Sequence, residues 1–163
     1  MNGKVNADAM EWTPEAAPDG TAKRFRKKLA AAAGGASIGA SLYRMPPGEK
    51  PWPRHFHTAN EEAVYVLAGE GAIAIGDAIV PLRAGDYVAL PAGAAHAHQI
   101  RNDSAGDLVF LCIATMNQPD VVVYPDSGKV GIFVGAAPGG PPQEMKLRKF
   151  LSLAGEVEYW ENE

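Results

Sequence analysis

Short apolar segments separated by turns, about ten residues apart, dominate the chain between Ser37 and Thr115. None of these segments has the 3.6-residue period of an amphipathic helix. A two-residue turn at Gly76-Asp77 joins two of them as in a β-hairpin. Regularly spaced short strands without intervening helices are typical of barrels and sandwiches. The pattern therefore predicts an all-β fold.

Length, charge and cysteine content narrow the class of protein further. The chain has 163 residues, which suits one domain with a substantial core. Its net charge of −4 argues against a protein dedicated to nucleic acids or membrane surfaces, since these normally carry a basic excess. No apolar run is long enough for a transmembrane helix, and the single Cys112 excludes an internal disulfide. We therefore expect a cytoplasmic protein with neither a nucleic-acid nor a membrane partner.

All four histidines fall in two short segments of the predicted barrel, at 55–57 and 96–98. His55 and His57 alternate along a predicted strand, so their side chains leave the same face. If Glu62 opens the next strand facing inward, its carboxylate lies on the same side as these imidazoles. Imidazoles combined with a carboxylate suit a divalent transition metal such as Mn, Fe, Co, Ni, Cu or Zn better than Ca or Mg.

Two sets of residues resemble the two sequence motifs of the cupin superfamily. The first motif is matched, with one extra residue after the first glycine, by Gly48, His55, His57, Glu62 and Gly69. The second is matched by Gly85, Pro91, Gly93, His98 and Asn102. The similarity covers residues 38–115, and the later YPDSGK segment is typical of small single-domain cupins, mostly of unassigned activity. The resemblance implies a double-stranded β-helix (jelly-roll) barrel with one divalent metal bound by His55, His57, Glu62 and His98.

The second motif leaves a choice between two histidines. Counting from Pro91 makes His96 the ligand, whereas counting back from Asn102 makes it His98. Both side chains leave the same face of a continuous strand, so parity does not decide. The turn after Asn102 fixes the register of the following hairpin, while the loop after Gly93 can absorb two extra residues. We therefore predict His98 as the ligand and His96 as a catalytic proton carrier, the alternative being a solvated His96 without a role.

The barrel is predicted over residues 37–118, between an N-terminal arm of residues 1–36 and a C-terminal extension of residues 119–163. In the arm, residues 21–33 fit either a helix or extended structure. In the extension, residues 145–153 fit a short helix or an edge strand. The extension is expected to pack on the barrel or on a partner subunit.

Three apolar side chains are predicted to face outward from the barrel strands, namely Phe56, Tyr65 and Leu67. A monomer rarely leaves such a strip uncovered, so the sequence predicts a homodimer.

Four protein ligands on a six-coordinate metal would leave two adjacent positions for the oxygen atoms of a small substrate. A metal placed there polarises a carbonyl, a step used by isomerases, lyases and decarboxylases. We therefore expect a metal-dependent enzyme like a sugar or sugar-phosphate isomerase. The alternatives are a metal-dependent dioxygenase and a non-catalytic module that binds a metal or a small ligand. Because Arg54 and Arg101 alternate outward, a neutral or singly charged substrate is favoured over a phosphorylated one.

Overall fold

The computed structural model describes residues 3–17, 20 and 23–161, and most of its regular structure is β. Its strands are Thr13–Ala16 (β1), Lys23–Lys28 (β2), Ile38–Met45 (β3), Phe56–His57 (β4), Glu62–Ala68 (β5), Glu70–Ile75 (β6), Ala78–Arg83 (β7), Tyr87–Leu90 (β8), His98–Arg101 (β9), Leu108–Thr115 (β10), Asp120–Tyr124 (β11), Lys129–Val134 (β12) and Leu147–Ser152 (β13). The helical segments are Leu29–Ala33 (α1) and short 3₁₀ turns at Ala7–Ala9, Ala94–His96, Pro125–Ser127, Pro142–Glu144 and Leu153–Gly155. Within the described part of the chain, no helix has the length and apolar character needed to cross a membrane.

The strands form three antiparallel sheets. The largest has the order β1-β2-β3-β10-β5-β8, the second β13-β12-β11-β4, and the third β7-β6-β9. The two-residue turn predicted at Gly76-Asp77 joins β6 to β7. The all-β class predicted from the turn spacing is confirmed.

The core of the barrel follows from the two-residue period of its strands. On β5 the side chains of Val64 and Val66 are 1% and 0% exposed, whereas Tyr65 and Leu67 beside them are 41% and 49% exposed. Alternate positions of the other strands close the core around Phe110, which is also buried. This alternation gives the barrel an apolar inner surface and leaves Tyr65 and Leu67 on its outer surface.

The N-terminal arm extends the barrel sheet. Residues 21–33 were predicted to form either a helix or extended structure, and both occur in succession. The strand β2 pairs with β3 and is followed directly by the helix α1. Gly34 ends this helix in the left-handed conformation, with φ of 87°. On the outer side of β2, Lys27 donates from Nζ to the carbonyl of Ala7 at 2.8 Å and lies 4.5 Å from the Trp12 ring centroid. These contacts hold the arm against β2.

The C-terminal strands form a sheet that includes one short strand from the first histidine segment. β11 pairs with β4, so Val122 lies opposite His57. Of the two alternatives for residues 145–153, the edge strand is correct, because β13 lies at the margin of this sheet. The division into an arm of 1–36, a barrel of 37–118 and an extension of 119–163 stays a prediction.

Candidate metal centre

The two histidine segments meet through a pair of backbone hydrogen bonds. The amide of His55 donates to the carbonyl of His98 at 3.0 Å, and the amide of His98 donates to the carbonyl of His55 at 2.8 Å. This pairing places the two imidazole rings side by side, with centroids 4.7 Å apart. The ring of His57 lies 5.4 Å from that of His55. Residues from both predicted motifs are therefore brought together.

Backbone carbonyls fix the orientation of two of these rings. Nδ1 of His55 lies 2.9 Å from the carbonyl oxygen of Pro53, and Nδ1 of His98 lies 2.9 Å from that of His96. A carbonyl oxygen only accepts, so each Nδ1 carries the proton and donates it. In the ring of His55 Nε2 is then left with a free lone pair, whereas Nε2 of His98 lies against the carboxylate of Glu62.

A buried carboxylate holds the third ring. Nδ1 of His57 donates to Oδ2 of Asp120 at 2.6 Å, while Oδ1 of Asp120 accepts from the amide of Ala59 at 3.0 Å. The Asp120 side chain is fully buried. Although burial lowers the pKa of His57, the hydrogen bond to Asp120 and the charges of Glu62 and Asp120 raise it overall. Sequence reasoning missed Asp120, whose only signal was an acidic residue at the start of the apolar strand DVVV.

Glu62 lies between the imidazoles. Its Oε2 is 3.1 Å from Nε2 of His98 and 3.6 Å from Nε2 of His57. His55, Glu62 and His98 each offer a ligand atom, and these atoms all lie within 4.8 Å of one another. His57 lies against the same carboxylate but outside this close group of three. The ligand roles predicted for the four residues stay predictions, and three of them form a group that can hold a metal ion.

The charges of this group fit a divalent transition metal. Burial, with the neighbouring His98, lowers the pKa of His55 to about 4, so this ring is neutral near pH 7. Burial raises the pKa of Glu62, but the hydrogen bond from His98 and the nearby histidine charges lower it overall, so the carboxylate is ionised. Neutral imidazole nitrogens and an ionised carboxylate are ligands that metals from Mn to Zn prefer.

His55, His57 and Glu62 line a cavity of about 710 Å³. Residues of β2, β3 and β10 and residues of β11, β12 and β13 also line it. Aromatic side chains line much of it, namely Tyr43, Trp52, Tyr124, Phe133 and Phe150. A cavity of this size accommodates a small organic molecule.

Four basic side chains also line this cavity, namely Arg24, Arg26, Lys28 and Arg148. These cations count against the expectation of a neutral or singly charged substrate, which rested on the outward alternation of Arg54 and Arg101 and stays a prediction. Arg54 does lie elsewhere, since it contacts Asp126 and the carbonyl of Gly76. The four basic residues come from β2 and β13, which lie outside the predicted barrel. For the three residues on β2, the alternating basic pattern of KRFRKK was the signal in the sequence.

The structure separates the two histidines of the second motif. β9 begins at His98, whereas His96 ends the 3₁₀ turn Ala94–His96. The assumption that both side chains leave one face of a continuous strand is therefore wrong. His98 contacts Glu62, and neither His96 nor His98 is among the described residues that line the cavity. The catalytic role of His96 stays a prediction, and its carbonyl holds the ring of His98.

Residues 41–114, from β3 to β10, match the family model for the cupin domain. The protein is a small cupin. The double-stranded β-helix predicted for its barrel is thereby confirmed.

Two solved structures are similar to this cupin over nearly its whole length. A structure from Acidithiobacillus ferrooxidans, provisionally assigned as a sugar phosphate isomerase, is 28% identical, with 96% of each chain covered and a TM-score of 0.82. A cupin-superfamily sugar phosphate isomerase from Silicibacter pomeroyi is 26% identical, with 93% of this chain and 94% of that chain covered and a TM-score of 0.75.

A third similar structure supports the fold alone. It is a predicted oxalate decarboxylase from Thermotoga maritima, 24% identical, with 69% of this cupin and 97% of that chain covered and a TM-score of 0.60. A search of curated proteins found no match.

Proposed function

We propose that this cupin is a metal-dependent isomerase acting on a small hydroxy-carbonyl compound of the sugar type. The observation that carries the proposal is the group of His55, Glu62 and His98, of which His55 and Glu62 line a cavity large enough for such a molecule. The two similar structures assigned as sugar phosphate isomerases support the same reaction class.

The proposed metal ligands are His55, His57, Glu62 and His98. A divalent metal bound there supplies Lewis acidity, which polarises a carbonyl and makes the neighbouring proton easier to remove. The anchored Nδ1 atoms keep the imidazole rings from turning away from the centre.

Two tyrosines in the cavity are suited to orienting a substrate. Burial raises the pKa of Tyr43 and of Tyr124, so both phenols keep their protons near neutral pH. The ring of Tyr124 lies 6.0 Å from that of His55. Its hydroxyl is therefore available to donate a hydrogen bond to a substrate oxygen near the histidine group. Transfer of the substrate proton is proposed for His96, the histidine outside the ligand set, which would have to reach the substrate from beyond the residues that line the cavity.

The test is to measure metal content first and reaction second. We expect about one divalent metal per chain by elemental analysis, near-complete loss of it in His57→Ala, and aldose–ketose interconversion that disappears with the metal. Protein stripped by a chelator and reloaded with each metal in turn is the matched control. Full metal occupancy in His57→Ala, or isomerisation that survives stripping, would contradict the proposal. Substrate-dependent oxygen uptake in place of isomerisation would favour a dioxygenase.

A further inference from the structure

Three of the basic side chains of β2 share one face of that strand. Arg24, Arg26 and Lys28 occupy alternate positions and line the cavity, whereas Lys27 between them is turned toward the arm. Alternate side chains of a strand lie about 7 Å apart. The three cations therefore form a row along one wall of the cavity.

A chain of contacts places this row on the same inner wall as the metal centre. Nε of Arg26 donates to Oγ of Ser41 at 2.9 Å. Ser41 lies opposite Cys112 in the sheet, and Sγ of Cys112 is 3.9 Å from Oε1 of Glu62. Because three strand spacings separate β2 from β5, the path along the sheet is about 14 Å. One molecule can therefore contact both the histidine group and Arg26.

A fourth cation comes from a different sheet. Arg148 on β13 lines the same cavity, with its guanidinium 5.4 Å from the ring centroid of Phe150. Lys149, the next residue on β13, does not line the cavity as the structure describes it. Strand alternation thus directs one of these two neighbouring cations inward and the other outward.

Positive charge in this region exceeds negative charge. Glu15 pairs with Arg24 at 2.8 Å and approaches Arg26 at 3.8 Å, and Glu144 also lines the cavity. Together with Glu62 at the histidine group, three carboxylates face these four cations, which leaves a surplus of one positive charge in the metal-free protein. In residues 3–17, 20 and 23–161, neither Lys28 nor Arg148 forms an ion pair with a carboxylate.

We propose that Arg26, Lys28 and Arg148 bind a phosphate group on the substrate, at the end remote from the reacting carbonyl. Three cations from two strands, two of them without an ion pair in the described chain, match a dianion with three acceptor oxygens better than a carboxylate, for which one arginine suffices. Arg24, held by Glu15 and by the carbonyl of Pro51, positions the row. The substrate class named here rests on the proposed isomerase function, whereas the anion site itself does not require the metal.

The experiment measures binding of inorganic phosphate to the metal-stripped full-length protein by calorimetry. We expect Arg26→Gln, Lys28→Gln and Arg148→Gln each to raise the Kd for phosphate about tenfold, as for loss of a charge-assisted hydrogen bond. Lys149→Gln removes a neighbouring charge from the outer side of β13 and should change the Kd by less than about twofold. Acetate should bind the parent protein more weakly than phosphate.

Two results would overturn the anion site. One is a parent protein that binds phosphate no better than acetate, and the other is a Kd that Lys28→Gln and Arg148→Gln leave unchanged. These two side chains are exposed and free of ion pairs, so their removal should not prevent folding. Phosphate binding without isomerisation would reject the isomerase and retain the anion site. Isomerisation equally efficient on phosphorylated and unphosphorylated sugars would reject the phosphate class and retain the isomerase.

Discussion

We call the part of the cavity around His55, His57 and Glu62 the histidine end, and the part around Lys28 and Arg148 the basic end. The two ends are built differently. At the histidine end, each ring is anchored through Nδ1 and the side chains of His57 and His98 are buried. At the basic end, Lys28 and Arg148 are long, exposed side chains without ion-pair partners in the described chain. The first end is held in one geometry before anything binds, whereas the second can adjust to a ligand.

The same two ends also differ in their relation to the family. The histidine end lies within residues 41–114, which match the cupin domain. β2 and β13, which supply the basic residues, both lie outside that range. The proposed metal chemistry would therefore belong to the shared barrel, and the proposed recognition of a particular substrate would belong to strands at its margins. Function of this kind resides in a site grafted on a common fold.

The largest expected effect separates the two histidines of the second motif. His98→Ala should empty the metal site, because it removes an imidazole that contacts Glu62. His96→Ala should keep the metal, since the carbonyl that orients His98 belongs to the main chain and remains. If His96 carries the substrate proton, the same variant loses isomerase activity while it retains the metal. Elemental analysis of both variants, followed by the isomerase assay, makes the comparison.

The opposite outcome would be informative too. A His96→Ala protein without metal and a His98→Ala protein with metal would move the ligand to His96. That result would also mean that the rigid end of the cavity reorganises when metal binds.

A smaller loss is expected from Asp120→Asn. The substitution keeps the size of the side chain but removes the charge that holds Nδ1–H of His57. Loss of such a carboxylate partner typically weakens metal binding about 10- to 100-fold, so metal should still bind at high concentration. A competition titration against a coloured chelator measures the change. Asp126→Asn is the matched control, because Asp126 is exposed and its carboxylate pairs with Arg54 and not with a histidine ring.

If Asp120→Asn binds metal as tightly as the parent protein, the histidine end does not depend on its buried carboxylate. To describe the histidine end as preorganised and the basic end as adaptable would then overstate the difference between them.

Most of the fold and the histidine group could be predicted from the sequence, because both depend on local spacing. Turns recur regularly, and His55 and His57 alternate on one strand. The parity argument failed at His96 because it assumed a continuous strand, whereas the turn Ala94–His96 interrupts it. Asp120 and Arg148 could not be placed, since their positions depend on how β11 and β13 pair with distant strands. Long-range pairing is set by the packed sheet and leaves little trace in one segment.

The smallest effect is expected from disrupting the homodimer that we propose. Tyr65 and Leu67, which were predicted to face outward, are exposed, and so are Leu147 and Leu151 on β13. Light scattering should give about twice the chain mass of 17.2 kDa, and a value near one chain would contradict the dimer. An aspartate at the interface should dissociate it, because a charge would be buried there without a partner. We therefore compare Leu67→Asp with Leu151→Asp.

The variant that becomes monomeric locates the interface and sharpens the comparison of the two ends. If it is Leu151→Asp, the partner covers the outer side of the strand that carries Arg148. Phosphate affinity should then fall by no more than about threefold, because the side chain of Arg148 remains and only the packing of β13 is loosened. If it is Leu67→Asp, the interface lies on the barrel and phosphate affinity should stay unchanged. A loss of phosphate binding in Leu151→Asp as large as in Arg148→Gln would mean that the basic end is assembled only in the dimer.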